Sequence, residues 1–192
     1  VRYGWHRGRE LVVRNLFEDG PDRVVALDGD VQEVLVAPGG EHFLFTRDVE
    51  VDPPVVRNHP DLPLAEARAY DDLMVRHWDR WLDGSYRHLF VAPLRLEGTA
   101  EPLQPLDLLA GERVHTPLQP FGGIEQIAFS PDGKQLCYTA RRVADPERST
   151  DSSLFTVSIA GGEHRNLTDG RPGYDQEPVY SPDGRYIAFA SM

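Results

Sequence analysis

The sequence of 192 residues contains one cysteine, no long apolar run and too few basic residues to balance its acidic ones. Cys137 cannot form an internal disulfide, and its place in an apolar strand pattern predicts a small buried hydrophobe. No run approaches the roughly 18 apolar residues that span a bilayer, so we expect no membrane partner. The net charge of −11 repels phosphate backbones, which argues against a nucleic-acid partner.

The sequence also lacks the motifs of several kinds of active site. No cluster of histidine, cysteine and carboxylate residues has metal-ligand spacing, so we expect neither a metal site nor a cofactor. No Gly-x-Ser-x-Gly motif is present, and Ser85, the serine closest to that pattern, lacks the second glycine. The glycine pairs at 122–123 and 161–162 do not open a helix after a strand, which excludes a phosphate loop. We therefore expect no catalytic residue in this chain.

Three segments of the chain align without gaps and share one pattern. Each has an alternating apolar strand, a Ser/Ala-Pro-Asp/Gly-Gly turn and a second strand. The segments are VQEVLVAPGGEHFLFT (31–46), IEQIAFSPDGKQLCYT (124–139) and DQEPVYSPDGRYIAFA (175–190). Proline presets φ for the first central position of a type I turn, aspartate tolerates the second, and glycine takes the following left-handed position without steric cost. Each copy therefore predicts a β-hairpin.

The spacing of the hairpins indicates the architecture. Pro131 and Pro182 lie 51 residues apart, which fits one four-stranded propeller blade of about 40–50 residues. Pro38 and Pro131 lie 93 residues apart, which fits one blade plus an insertion of roughly 40 residues. Third strands are predicted at Glu10–Leu16, His88–Leu94 and Ser153–Ile159, and fourth strands at Arg23–Leu27, Pro102–Leu108 and Glu163–Leu167.

The predicted fold is all-β: a partial β-propeller over residues 1–192, with about three blades of four-stranded antiparallel sheet and an insertion at 49–84. Propellers typically close with about 4–8 blades. We therefore expect a fragment of a longer chain, with open blade edges through which copies could associate into an oligomer.

The insertion supports two interpretations. Leu64–Leu82 carries apolar residues at helical spacing, with Pro63 placed for a first helical turn. Ala69–Trp78 also fits a strand that forms a long hairpin with His88–Leu94. The favoured prediction is a helix at first and a strand near the end. Long insertions in compact domains are often functional.

These segments together carry a family resemblance. The Ser-Pro-Asp-Gly hairpins, DDLMVRHWDRWLDG (71–84) followed by HLFVAPL (88–94), PFGGIEQIAFSPDGK (120–134), and NLTDG (166–170) with GYDQEPVYSPDGRYIAF (173–189) resemble the propeller of bacterial dipeptidyl-peptidase and acylaminoacyl-peptidase-like enzymes. These enzymes belong to the prolyl oligopeptidase family of serine peptidases, and the resemblance spans nearly the whole chain.

The resemblance implies an N-terminal propeller joined to a C-terminal α/β-hydrolase domain with a Ser-Asp-His triad. The propeller of such an enzyme covers the active site, filters substrates by size and, in dipeptidyl peptidases, helps to hold the free amine of the peptide. The expected partners are thus a peptide substrate and a hydrolase domain that lies beyond Met192. The resemblance suggests a bacterial periplasmic or cytoplasmic enzyme without choosing between the two.

Four residues of the insertion are candidates for substrate binding. Asp71 and Asp72 offer two adjacent carboxylates, which can hold a substrate ammonium through charge-assisted hydrogen bonds. The alternative is a solvated or helix-capping acidic pair. Trp78 and Trp81 are candidate apolar anchors in a substrate pocket, and the alternative is that they pin the insertion onto its blade.

Two functions from different classes remain open at this point. The first is the non-catalytic propeller portion of a serine peptidase, which contributes gating and substrate recognition. The second is a TolB-like propeller that binds proteins and has no enzymatic activity, because such propellers share the Ser-Pro-Asp-Gly hairpins. The insertion at 49–84 favours the first function.

Overall fold

The computed structural model describes residues 4–6, 9–14, 16–17, 20–54, 57, 59–64, 67–70, 73, 75–94 and 103–192. The elements in this part of the chain are short strands and one 3-10 helix at Ile124–Gln126. The strands are β1 (Gly4–His6), β2 (Glu10–Val13), β3 (Arg23–Ala26), β4 (Val34–Val36), β5 (His42–Glu50), β6 (Arg76–His77), β7 (Arg80–Trp81), β8 (Ser85–Pro93), β9 (Leu106–Asp107), β10 (Ile127–Phe129), β11 (Gln135–Ala140), β12 (Ser153–Ser158), β13 (Arg165–Asn166), β14 (Asp175–Tyr180) and β15 (Ile187–Ser191).

The strands form successive antiparallel sheets that follow the order of the chain. Blade 1 contains β1–β2–β3, blade 2 contains β4–β5–β8–β9, blade 3 contains β10–β11–β12–β13, and blade 4 is the hairpin β14–β15. Within each blade, strands that follow one another in sequence pair with each other. In blade 2 the insertion lies between the paired strands β5 and β8. The predicted all-β partial propeller is therefore confirmed, and β1 adds a strand to the first blade that the sequence pattern did not indicate.

The repeated turns have the geometry that their residues predict. In blade 3, Ser130 Oγ donates to Asp132 Oδ1 at 2.6 Å, and the same carboxylate oxygen accepts the backbone N–H of Lys134 at 3.1 Å. The hydrogen bond from Ser130 is the largest cause that holds the pKa of Asp132 below its usual value. Gly133 has a φ of +69°, the left-handed conformation that favours glycine. The turn at 181–186 repeats these bonds with matching distances.

Alternate residues of β5 belong to two different hydrophobic cores. Phe43 and Phe45 pack in a cluster with Leu11 of blade 1, whereas Leu44 packs in a cluster with Tyr138 of blade 3. Side chains alternate between the two faces of a strand, so both faces of blade 2 are buried against neighbouring blades. Packing of consecutive sheets face to face is the arrangement that a propeller requires.

Blade 3 is buried on both faces in the same way. Leu136 and Tyr138 face the core shared with blade 2, and Cys137 and Thr139 are fully buried on the opposite face of β11. Burial raises the pKa of the Cys137 thiol to about 12. The prediction that Cys137 is a small buried hydrophobe is confirmed.

The insertion does not form the helix favoured for Leu64–Leu82 in the residues that the structure describes. Positions 67–70 have no regular structure, and β6 and β7 pair with each other in a two-residue-long hairpin. The strand expected near the end of the insertion is thus present, but its partner is β7 and not His88–Leu94. The latter segment belongs to β8, which pairs along its nine residues with β5.

The antiparallel order places the connections at two opposite ends. The turns within the hairpins β4–β5, β10–β11 and β14–β15 lie at one end, which we call the turn end. The connections between second and third strands, and those between consecutive blades, lie at the other, which we call the loop end. The loop end therefore gathers segments 51–84, 108–123, 141–152 and 167–174.

Candidate functional site

A cavity of about 730 Å³ opens at the loop end. It is lined by His77 of the insertion, residues 118–122 of the connection between blades 2 and 3, Arg141, Thr150 and Asp151 between β11 and β12, residues 172–174 before β14, and Met192 after β15. Volumes of roughly 300–1,000 Å³ are typical of sites for small ligands. Five separate stretches of chain thus form one site of a size that is typical for a small ligand.

Two exposed aromatic side chains meet at the rim of this cavity. Trp78, 67% exposed, contacts Phe121, 76% exposed, edge to face with ring centroids 5.2 Å apart. The turn of the β6–β7 hairpin is held by Arg76 Nε, which donates to the Trp78 carbonyl oxygen at 3.0 Å, and Trp78 has a φ of +56°. Trp81 is also exposed and lies under the Arg76 guanidinium, 5.8 Å from the ring centroid. Neither tryptophan lines the cavity itself, and Trp78 reaches it through Phe121.

Two hydrogen-bond donors in the cavity wall have no acceptor. Arg141 Nε and Gln119 Nε2 are buried and donate to no oxygen in the part of the chain that the structure describes. The neighbouring Arg142, by contrast, is paired with Glu112. Burial and, secondly, the charge of Arg141 lower the pKa of His77, so this ring is neutral at pH 7. The cavity therefore contains one arginine whose charge no carboxylate of the described residues neutralises.

The floor of the cavity is tied to blade 3 by polar contacts. Asp151 Oδ1 accepts the backbone N–H of Gly173 at 3.1 Å, and Ser152 Oγ donates to the Asp175 carbonyl oxygen at 2.9 Å. A Cβ at Gly173 would lie 2.8 Å from the Met192 carbonyl oxygen, so only glycine allows this close approach. The connection before β14 is held in place by these contacts.

The insertion leaves blade 2 through a narrow neck. The backbone N–H groups of Val51 and Asp52 both donate to the Gly84 carbonyl oxygen, at 2.9 and 3.0 Å. Gly84 has a φ of +80°, and a Cβ there would lie 2.4 Å from the Asp52 carbonyl oxygen. The Asp52 carboxylate accepts from Arg113 Nη2 at 2.6 Å and from the Tyr86 hydroxyl at 3.3 Å. These contacts fix the direction in which the insertion projects.

A partly buried histidine lies next to this neck. His115 Nδ1 accepts the backbone N–H of Arg87 at 3.1 Å, and its ring lies 5.1 Å from that of Tyr86. Burial lowers the pKa of His115 to about 4. Burial alone would raise the pKa of Asp48, but the hydrogen bond from Arg87 Nε at 3.0 Å and its charge bring that pKa below the usual value. His115 is therefore a neutral acceptor in the folded protein at pH 7.

The structure brings together only some of the residues that the sequence singled out. Asp71 and Asp72 lie outside the described residues. Trp78 is at the cavity rim, as described above. The sequence analysis did not identify Arg141 or Gln119, because Arg141 lies beyond the aligned repeat and the equivalent positions of the other copies are Asp48 and Met192.

The described residues include no group of three or more His, Cys, Asp and Glu side chains that could hold a metal ion. His88 is a structural residue, since its buried ring lies with Nδ1 2.9 Å from Asp107 Oδ2 and Nε2 2.9 Å from the Glu112 carbonyl oxygen. In that same portion of the chain, no helix is both long and apolar enough to cross a lipid bilayer.

The blades and their loop-end cavity define a protein of the β-propeller class. A solved structure from Agrobacterium tumefaciens described as TolB superposes on 99% of this chain and 50% of that chain, with a TM-score of 0.54 and 19% sequence identity. At this identity, the likeness shows the fold alone. No protein-family model matches the sequence.

Relatives at the sequence level are dipeptidyl peptidases. Dipeptidyl-peptidase 5 of Porphyromonas endodontalis is 34% identical over 188 residues, which are 95% of this chain and 26% of that protein. The enzymes of the same name from Porphyromonas gingivalis and Aspergillus fumigatus are 33% and 30% identical, over 85% and 68% of this chain. The chain is thus homologous to a part of dipeptidyl-peptidase 5, which confirms the resemblance seen in its motifs. It spans between 20% and 26% of the length of these relatives.

Proposed function

We propose that this chain is the non-catalytic propeller portion of a serine peptidase that hydrolyses peptides, and that its loop end recognises the substrate. The observation that carries the proposal is the homology of 95% of the chain to a dipeptidyl-peptidase 5. The nucleophile would be supplied by a C-terminal hydrolase domain, because the chain has no Gly-x-Ser-x-Gly motif.

The proposed role of the propeller is to position the peptide and to limit access to the active site. A peptide held in a fixed orientation reacts faster, because the entropy of alignment is lost on binding and not in the chemical step. The loop end suits this role, since its cavity is walled by connections that polar contacts hold in place. Trp78 and Phe121 would contact an apolar side chain of the peptide at the rim.

Asp71 and Asp72 are the proposed partners of the peptide's free amine. They lie in the insertion close in sequence to His77, which lines the cavity. Two carboxylates would attract an ammonium group and discriminate against a peptide whose amine is blocked. Trp81, exposed on the same hairpin, is a further proposed contact.

The test uses the full-length protein that contains this chain. It should react with a fluorophosphonate serine probe and release dipeptides from peptides with a free amine, but not from the same peptides after N-acetylation. Replacing both Asp71 and Asp72 with Asn should raise KM more than it lowers kcat, while Asp61→Asn, at an exposed position of the same insertion, should change neither. A full-length protein that neither labels nor releases dipeptides contradicts the proposal.

The alternative of a TolB-like protein-binding module gains no specific support, because the likeness to TolB shows the fold alone. Association of copies through open blade edges stays a prediction, and light scattering of the purified protein would test it.

A further inference from the structure

We infer that the loop-end cavity contains a carboxylate-binding subsite formed by Arg141 and Gln119, and that its ligand is a carboxylate of a bound peptide. The anion site itself follows from the side chains of the cavity. The identification of a peptide as the owner of the carboxylate rests on the proposed function.

The first step is that the cavity wall contains hydrogen-bond donors without acceptors. Arg141 Nε and Gln119 Nε2 are both buried and both without an acceptor in the described part of the chain, and both side chains line the same cavity. Buried donors without partners are rare and unfavourable, so both groups would gain from an acceptor that a ligand brings into the cavity. The guanidinium fork of arginine matches the two oxygens of a carboxylate.

The second step is the charge of the cavity. Among the lining residues that the structure describes, Arg141 is the only charged basic side chain at neutral pH, since the lowered pKa of His77 leaves that ring neutral. Asp151 is the only acidic side chain among the described lining residues; its Oδ1 accepts the backbone N–H of Gly173, and it forms no ion pair with Arg141. A cation that is already paired with a carboxylate, such as Arg142 with Glu112, attracts an additional anion only weakly. Arg141 has no such partner in the described residues and can therefore bind an anionic ligand.

The third step is the shape and polarity of the walls. Leu118, Pro120, Phe121, Pro172 and Met192 supply apolar surface around the two donors. A small inorganic anion would leave this surface in contact with water, whereas a peptide carboxylate brings apolar groups to cover it. The carboxylate is either the C-terminus of a short peptide or an acidic side chain.

The experiment measures binding of three dipeptides to the full-length protein by isothermal titration calorimetry. Gly-Phe has a free C-terminal carboxylate, Gly-Phe amide has none, and Glu-Phe amide has only a side-chain carboxylate. The variant Arg141→Gln removes the charge and keeps most of the stem, and Gln119→Leu removes the second donor. Arg185→Gln, at an exposed position of the turn end, is the matched control for loss of one positive charge.

The inference predicts that Arg141→Gln weakens binding of at least one carboxylate-bearing dipeptide by about 10- to 100-fold and leaves Gly-Phe amide unchanged, as expected for loss of a charge-assisted hydrogen bond. Gln119→Leu should have a smaller effect with the same preference, and Arg185→Gln none. The dipeptide that responds identifies the source of the carboxylate. Arg141→Lys, which keeps the charge without the fork, should bind with intermediate strength, and unchanged thermal unfolding of each variant shows that the fold is intact.

A titration with phenylacetate separates this inference from the proposed function. If phenylacetate binds in an Arg141-dependent manner and no dipeptide binds, the anion site stands and a peptide ligand is refuted. If the dipeptides bind but acid and amide forms bind alike in wild type and Arg141→Gln, peptide recognition stands and the carboxylate subsite is refuted. If neither kind of ligand binds, the subsite is refuted as well.

Discussion

The partly buried His115 leads to a specific prediction about the pH dependence of stability. In the folded protein, burial lowers the pKa of this ring to about 4, from an ordinary value of 6.5. In the unfolded chain the His115 ring binds a proton near pH 6.5, whereas in the folded protein the same ring stays neutral until about pH 4. Between these values the unfolded state therefore holds more protons, and the free energy of unfolding must fall as the pH falls.

The size of this effect follows from the two pKa values. Each pKa unit corresponds to about 1.4 kcal/mol, so the separation between 6.5 and about 4 corresponds to about 3 kcal/mol. This contribution is fully present above pH 6.5 and is lost by about pH 4. It is a large share of the roughly 5–15 kcal/mol that stabilises an ordinary domain.

The loss of stability that His115 causes can be measured by urea unfolding at several pH values between 4 and 7. The measurement compares the wild type with His115→Asn. An Asn side-chain oxygen can still accept the backbone N–H of Arg87, but it does not titrate. His77 and His164 also have lowered pKa values and contribute a slope of the same sign, which both proteins share. The variant should therefore lose less stability over this range, by about 3 kcal/mol. Equal slopes for the two proteins would refute the assignment of the effect to His115.

Three further predictions concern other buried or constrained groups. Gly84→Ala should lower the free energy of unfolding by several kcal/mol, because the new Cβ would meet the Asp52 carbonyl oxygen. Gly39→Ala, at a φ of +85° with open space around it, should lower it by about 1 kcal/mol. Equal losses for the two variants in urea unfolding would contradict the neck geometry. Asp175→Asn should raise the unfolding temperature, since neither oxygen of that buried carboxylate has a partner in the described residues; a lower temperature would contradict this. Cys137 should react with a thiol reagent only after denaturation, and fast reaction of the native protein would contradict its burial and raised pKa.

The propeller could be predicted from the sequence because its signals are local and repeated. The turn at 130–133 needs only neighbouring residues: the hydroxyl, the carboxylate and the left-handed glycine that close it are within four positions of one another. The repetition of such turns at blade spacing then predicted the order of the strands within the blades, apart from β1. Local chemistry of this kind does not depend on distant parts of the chain.

The insertion was predicted less well because helical spacing alone does not make a helix. An amphipathic helix is stabilised when its apolar stripe packs against another element. In the structure, Leu73, Trp78 and Trp81 are all more than half exposed, so burial of an apolar stripe does not stabilise a helix here. The segment instead forms a short hairpin whose turn is held by Arg76.

The cavity could not be predicted because no local pattern describes it. His77, Gln119, Arg141 and Tyr174 are dispersed over almost one hundred residues, and only the stacking of blades brings their connections to one end. The same stacking buries Arg141 Nε, which turns an ordinary arginine at the end of a strand into an unsatisfied donor. Because the insertion that carries His77 joins blade 2 at the neck beside Gly84, a change at that glycine should alter both the stability of blade 2 and the shape of the cavity wall. We therefore expect a substitution of Gly84 to change ligand affinity as well as stability, although this glycine lies outside the cavity.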